Sequence, residues 1–163
     1  MSNTQSMFSA IEDNDIDKVA EILGSEPQLV HQRDGQGWTP LMKASWRGHD
    51  EMVTLLLGYG AKLEDVCKAG TALMAAVQEK RVSTSELLLQ SGADPNHVRQ
   101  GDACTPLQWA VQERSLPLAS LLLEHGASVT LADPATGTFC LFQYRSHKPR
   151  NFGKIKILNQ KKG

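Results

Sequence analysis

Five histidines and three cysteines are the residues from which this chain of 163 amino acids could build a metal centre or a nucleophile. His31, His49, His97, His125 and His147 lie far apart, and neither a Cys-x-x-Cys nor a His-x-x-x-His pair occurs. No local segment therefore offers a metal a preformed set of ligands. Cys67, Cys104 and Cys140 are odd in number and scattered, which suits a reducing compartment better than a disulfide framework. Cys104 has no candidate base near it in the chain, so it lacks the partner that activates a thiol nucleophile. "GSEPQ", "GYGAK" and "CKAGT" contain glycine without the spacing of a phosphate-cradling loop. What remains is the chemistry of adhesion. "WTPLMKASW" sets Trp38 and Trp46, two of the three tryptophans, close together with Arg47 following, and tryptophan and arginine are the side chains enriched in binding hot spots. The expectation is a binding module with no catalysis, no cofactor and no metal.

The elements that position these residues repeat. "TPLMKASWRGHDEMVTLLLGYGA" from Thr39, "TALMAAVQEKRVSTSELLLQSGA" from Thr71 and "TPLQWAVQERSLPLASLLLEHGA" from Thr105 align without gaps. Each threonine stands 16 residues before the first leucine of a triple, Leu55, Leu87 or Leu121. From the closing alanine to the next threonine the count drifts, 10 residues from Ala61 to Thr71 and 12 from Ala93 to Thr105. A packed face tolerates no extra residue and a loop does, so this contrast marks rigid units joined by loops.

Each unit reads as helix, turn, helix. Thr39, Thr71 and Thr105 are placed to cap a first helix, with Pro40 and Pro106 at the first helical position, where no N–H donor is needed. Gly48 ends the first helix of its unit, and the second restarts at Asp50, or at Ser115 with Pro117 just inside. Gly60, Gly92 and Gly126 follow the leucines as helix-ending glycines. Helices this short cannot stand alone in water, and one pair cannot bury its own apolar face. Stacking the pairs side by side buries it.

The motifs Thr39-Pro40-Leu41-Met42-Lys43-Ala44, Thr71-Ala72-Leu73-Met74-Ala75-Ala76 and Thr105-Pro106-Leu107-Gln108-Trp109-Ala110, about 33 residues apart, resemble the T-P-L-H-x-A signature of the ankyrin repeat family. None has the family's histidine at the fourth place. A weaker unit precedes them, in which Met7, Ala10, Val19 and Leu23 match Leu41, Ala44, Val53 and Leu57, and Glu12, Asp13, Asp15 and Asp17 give it the polar surface of an N-terminal capping repeat. The resemblance implies an all-α solenoid of stacked helix-turn-helix units with hairpin-like loops. It divides the chain into a repeat domain over 1–135, with repeats at about 4–34, 35–67, 68–101 and 102–135, and an atypical end over 136–163. There Phe139, Leu141, Phe142 and Tyr144 are expected to cover the last repeat, and the residues from Lys148 onward to form a mobile basic tail.

The family's fold and its variable positions further imply a partner on a concave face. Carried onto this sequence, those positions are Gln36, Trp38, Trp46 and Arg47; then Lys68, Gly70, Gln78 and Glu79; then Asp102, Cys104, Gln112 and Glu113. Trp38 and Trp46 are expected to face the groove, whereas Trp109, in the register of Lys43, is assigned to packing between repeats. With Glu79 and Glu113 on that face, a partner segment of some basic character is expected.

Charge separates body from tail. Residues 1–133 hold all 18 acidic side chains and 10 of the 17 basic ones, and the remaining 7 bases lie in residues 134–163. An acidic body argues against a nucleic-acid-binding domain, which needs clustered Lys and Arg. No stretch approaches a membrane span or a signal peptide. The leading reading is a monomeric, cytoplasmic protein–protein interaction scaffold or adaptor. The alternative is a nuclear regulator that sequesters a transcription factor, its basic tail giving import or nucleic-acid contact.

Overall fold

A computed structural model of the chain describes residues 3–100 and 104–129. Eight α-helices occur among them, in pairs: α1 (Asn3–Glu12) with α2 (Ile16–Ser25), α3 (Pro40–Arg47) with α4 (Asp50–Gly58), α5 (Ala72–Gln78) with α6 (Val82–Gln90), and α7 (Pro106–Gln112) with α8 (Leu116–Glu124). A 3-10 turn, Pro27–His31, links the first pair to the second. Among the described residues the only β pairing is an isolated bridge between Cys67 and Gly70 in one inter-repeat loop. No described helix is long and apolar enough to cross a membrane. The proposed aromatic cover and basic tail lie outside the described residues.

Local chemistry sets the helix ends. The hydroxyls of Thr39, Thr71 and Thr105 accept from the backbone N–H of Met42, Met74 and Gln108 at 3.3, 3.4 and 3.3 Å. All three threonines are only 2% exposed, so without those bonds each would leave polar atoms stranded in the core. In α7 the side chain of Gln108 returns the favour, its Oε1 accepting from Thr105 N–H at 2.8 Å, so glutamine closes a capping box where the family has histidine. Met42 and Met74 fill the same place as buried hydrophobes. Gly60, Gly92 and Gly126 take positive φ of 85°, 98° and 87° after the leucine helices, as a glycine stop requires.

The helices form two rows. α1, α3, α5 and α7 pack against one another in sequence, as do α2, α4, α6 and α8, and the first row packs more closely than the second. Closer packing along the first row is what a stack hollow on its first-helix side requires. Between the rows runs one continuous core. Leu56, Leu88 and Leu122, the middle leucine of each triple, are fully buried, alongside Leu41, Leu73, Met7, Ile11 and Leu23. Burying such a side chain stabilises by roughly 1.5–3 kcal/mol, which is what holds helices of seven to ten residues in place.

Candidate partner-binding surface

The tip that carries Trp38 is built by one carboxylate. Asp34 Oδ1 accepts from the backbone N–H of Gln36 and of Trp38, both at 2.9 Å, and Asp34 N–H donates to the Trp38 carbonyl at 3.0 Å. Arg33 ties this tip to the next by donating to Gly37 O at 2.9 Å and Val66 O at 2.8 Å. Trp38 is thus delivered at a fixed angle onto the end of α3. It meets Trp46 edge to face, with ring centroids 6.0 Å apart and planes at 72°.

Each indole also carries a cation. Lys43 Nζ lies 5.6 Å from the Trp38 ring centre, and the Arg47 guanidinium carbon 4.9 Å from that of Trp46. Glu12 of the first repeat reaches both, at 3.1 Å from Lys43 Nζ and 3.8 Å from Arg47. Lys43 is additionally 3.7 Å from Asp34. Glu12 thus ties the first repeat to Lys43 and, more loosely, to Arg47.

The two tryptophans differ in their surroundings. Trp38 is partly buried and packs against the hydrophobic core, whereas Trp46 is half-buried and lies outside that core. The sequence treats them as equivalent anchors; Asp34 instead folds the first back over the protein and leaves Trp46 as the more available ring. Trp109 packs against the core, with the Arg99 guanidinium carbon 4.7 Å from its ring centre. That agrees with its assignment to packing between repeats.

The remaining positions divide further. Gln36, Arg47, Glu79 and Gln112 are exposed, while Gln78 and Glu113 are half-buried. Gln78 Nε2 donates to Ala69 O at 3.3 Å, bracing its own loop. Glu113 lies 3.1 Å from Lys80, pinning the third repeat to the fourth. Lys68 is exposed. Gly70 is buried, and a Cβ there would stand 2.5 Å from Met74 Sδ, so this position is closed to a partner. Cys104 is 4% exposed, and Cys67 is a free thiol. Asp102 lies outside the described residues.

Lys43, Lys80 and Arg81 were not singled out as groove residues by the sequence. Arg81 Nε donates to the Trp46 carbonyl at 3.3 Å, joining the third repeat to the second. A signal for it exists in the register, because Asn14, Gly48, Lys80 and Arg114 occupy one turn position in successive repeats and Arg81 is the residue that leaves that turn. Among the described residues no group of three His, Cys, Asp or Glu side chains could hold a metal ion. His125 Nδ1 lies 2.9 Å from Leu121 O, and His97 lies 4.0 Å from Glu64.

A family profile described as ankyrin repeats (3 copies) matches residues 7–99, and a second, ankyrin repeat, matches residues 102–134. The chain belongs to the ankyrin repeat family. Ankyrin repeats are a non-catalytic fold for protein–protein interaction. Relatives include the mouse ankyrin repeat and SAM domain-containing protein 6, 34% identical over 90 residues, which are 54% of this chain and 10% of that protein. The human NAD-capped RNA hydrolase NUDT12 is 43% identical over 75 residues, 45% of this chain and 16% of that protein. An ankyrin repeat and KH domain-containing protein of Caenorhabditis briggsae is 44% identical over 59 residues, 36% of this chain and 2% of that protein. The chain thus matches only a small part of each of these relatives.

Proposed function

We propose that this ankyrin repeat chain is a non-enzymatic scaffold or adaptor that holds a partner protein on the hollow side of the stack. Trp46 and Arg47 are its anchor, Trp38 the buttress behind them, and Gln36, Gln78, Glu79 and Gln112 the polar surround. The observation that carries this reading is Trp46 itself. It is a large apolar ring outside the core, held edge-on by a second indole and faced by a guanidinium. A ring fixed in this way loses little conformational freedom on binding, which is how aromatic hot spots gain affinity. The kinship with a hydrolase covers 16% of that enzyme and brings no catalytic residues with it into this reading.

Affinity capture from cell extract with wild type and a Trp38→Ala/Trp46→Ala chain, followed by titration of the purified partner, tests it. Trp46→Ala is expected to weaken binding by more than about 1 kcal/mol with the unfolding midpoint nearly unchanged. Trp38→Ala is expected to weaken binding and to lower stability as well, since that ring packs on the core. Undiminished affinity of the Trp46→Ala chain would reject the anchor.

A further inference from the structure

Trp46 carries two cations that come from different repeats. The Arg47 guanidinium is stacked on its ring at 4.9 Å, and Arg81 is hydrogen-bonded to its carbonyl at 3.3 Å. Gly48 makes the second contact possible, because a Cβ there would stand 2.7 Å from Arg81 Cδ. With no side chain in the way, Arg81 lies across the end of α3. Arg47 meets a carboxylate only loosely, Glu12 at 3.8 Å, since Glu12 is drawn to Lys43 at 3.1 Å. Arg81 engages its Nε, and its terminal nitrogens meet no acceptor among the described residues. Both arginines are exposed.

A guanidinium is always charged and presents a planar fork of donors that fits a carboxylate in two parallel hydrogen bonds. Here two forks are held in place, one by stacking and one by a hydrogen bond, next to a half-buried indole. We propose that this surface recognises an acidic peptide segment, a carboxylate side chain being gripped by Arg47 and Arg81 and an apolar neighbour lying on the Trp46 ring. This inference rests on the hollow-face reading and reverses the sign of partner charge expected from sequence. That expectation takes Glu79 and Glu113 as free acid, yet Glu113 is paired with Lys80, and Glu12 and Asp34 are both paired with Lys43. Glu79 alone of these four lacks an ion pair among the described residues.

Panning a random dodecapeptide phage library on the full chain supplies the probe. The selected peptides are then synthesised and titrated against wild type, Trp46→Ala, Arg47→Gln/Arg81→Gln and Arg47→Lys/Arg81→Lys. The expected peptides are rich in Asp and Glu beside Leu or an aromatic residue. Their Kd is expected to rise at least about tenfold in both double variants, the lysine pair retaining the charge but not the fork. Thermal melts of the lysine variant that match wild type separate this from a folding defect. Peptides rich in Lys and Arg, or acidic peptides whose Kd is unmoved by the glutamine pair, overturn the proposal. Peptides that need Trp46 but neither arginine leave the hollow-face reading standing and remove the acidic one. Peptides indifferent to Trp46, or none selected at all, overturn both.

Discussion

Asn14, Gly48, Lys80 and Arg114 hold positive φ of 56°, 81°, 57° and 55° at one register of successive repeats. A backbone reversal there turns each first helix into its second, and only one repeat fills it with glycine. An L residue with a Cβ in this region is strained by roughly 1–2 kcal/mol, and glycine relieves the strain while giving back part of the gain through a freer unfolded chain. Arg114→Gly is therefore expected to stabilise the fold by less than about 1 kcal/mol, seen as a higher denaturation midpoint. Gly60 gives the converse test: its φ is 85° and a Cβ would touch nothing within 4 Å, so Gly60→Ala isolates the backbone term and is expected to cost about 1 kcal/mol. Equilibrium urea titration reads both, and effects of equal sign would show that the strain does not reside in these backbone turns.

At the level of the helix pair, the threonine caps and the leucine register carry the structure. Gln108 gives α7 a reciprocal cap that α3 and α5 lack. Gln108→Met would make the last clear repeat like the two before it and is expected to cost about 1 kcal/mol through the loss of the acceptor for Thr105 N–H, visible as a lower Tm. An unchanged Tm would mean that the box contributes nothing beyond the threonine. These helices were legible in the sequence because their signals are local: a Thr-Pro start, a fixed distance to three leucines, a glycine stop. The surface was legible only in part. Trp46 and Arg47 follow from register, but the cations facing the tryptophans depend on Glu12, Asp34 and Arg81, whose contacts cross between repeats. Nothing in a single unit announces that Lys80 will neutralise Glu113, so the charge of the groove could not be read from composition. Nor does the spacing reveal that Asp34 folds Trp38 back onto the core.

As a whole, the molecule is a row of units that touch only their neighbours, and its rigidity comes from what crosses each junction. Arg33 bridges the first junction of loop tips, Glu64 Oε1 accepts from Asp94 N–H at 3.0 Å at the next, and Asn96 bonds Gly126 O at 3.1 Å and Ser128 N–H at 2.7 Å at the last. Surface ion pairs such as Lys80–Glu113 add little stability, under about 1 kcal/mol each, and link one unit to the next. In the reading proposed above, the row turns its first helices to the partner and grips an extended polypeptide by Trp46 near its N-terminal end. Hydrogen–deuterium exchange of the chain, with and without its purified partner, tests this most directly. The expected result is slowed exchange over Gln36 to Arg47, at the ends of α5 and α7 and around Arg81 where α6 begins, with the rest of the outer row, α4 and the body of α6, unaffected. Slowed exchange confined to the outer row would contradict the account.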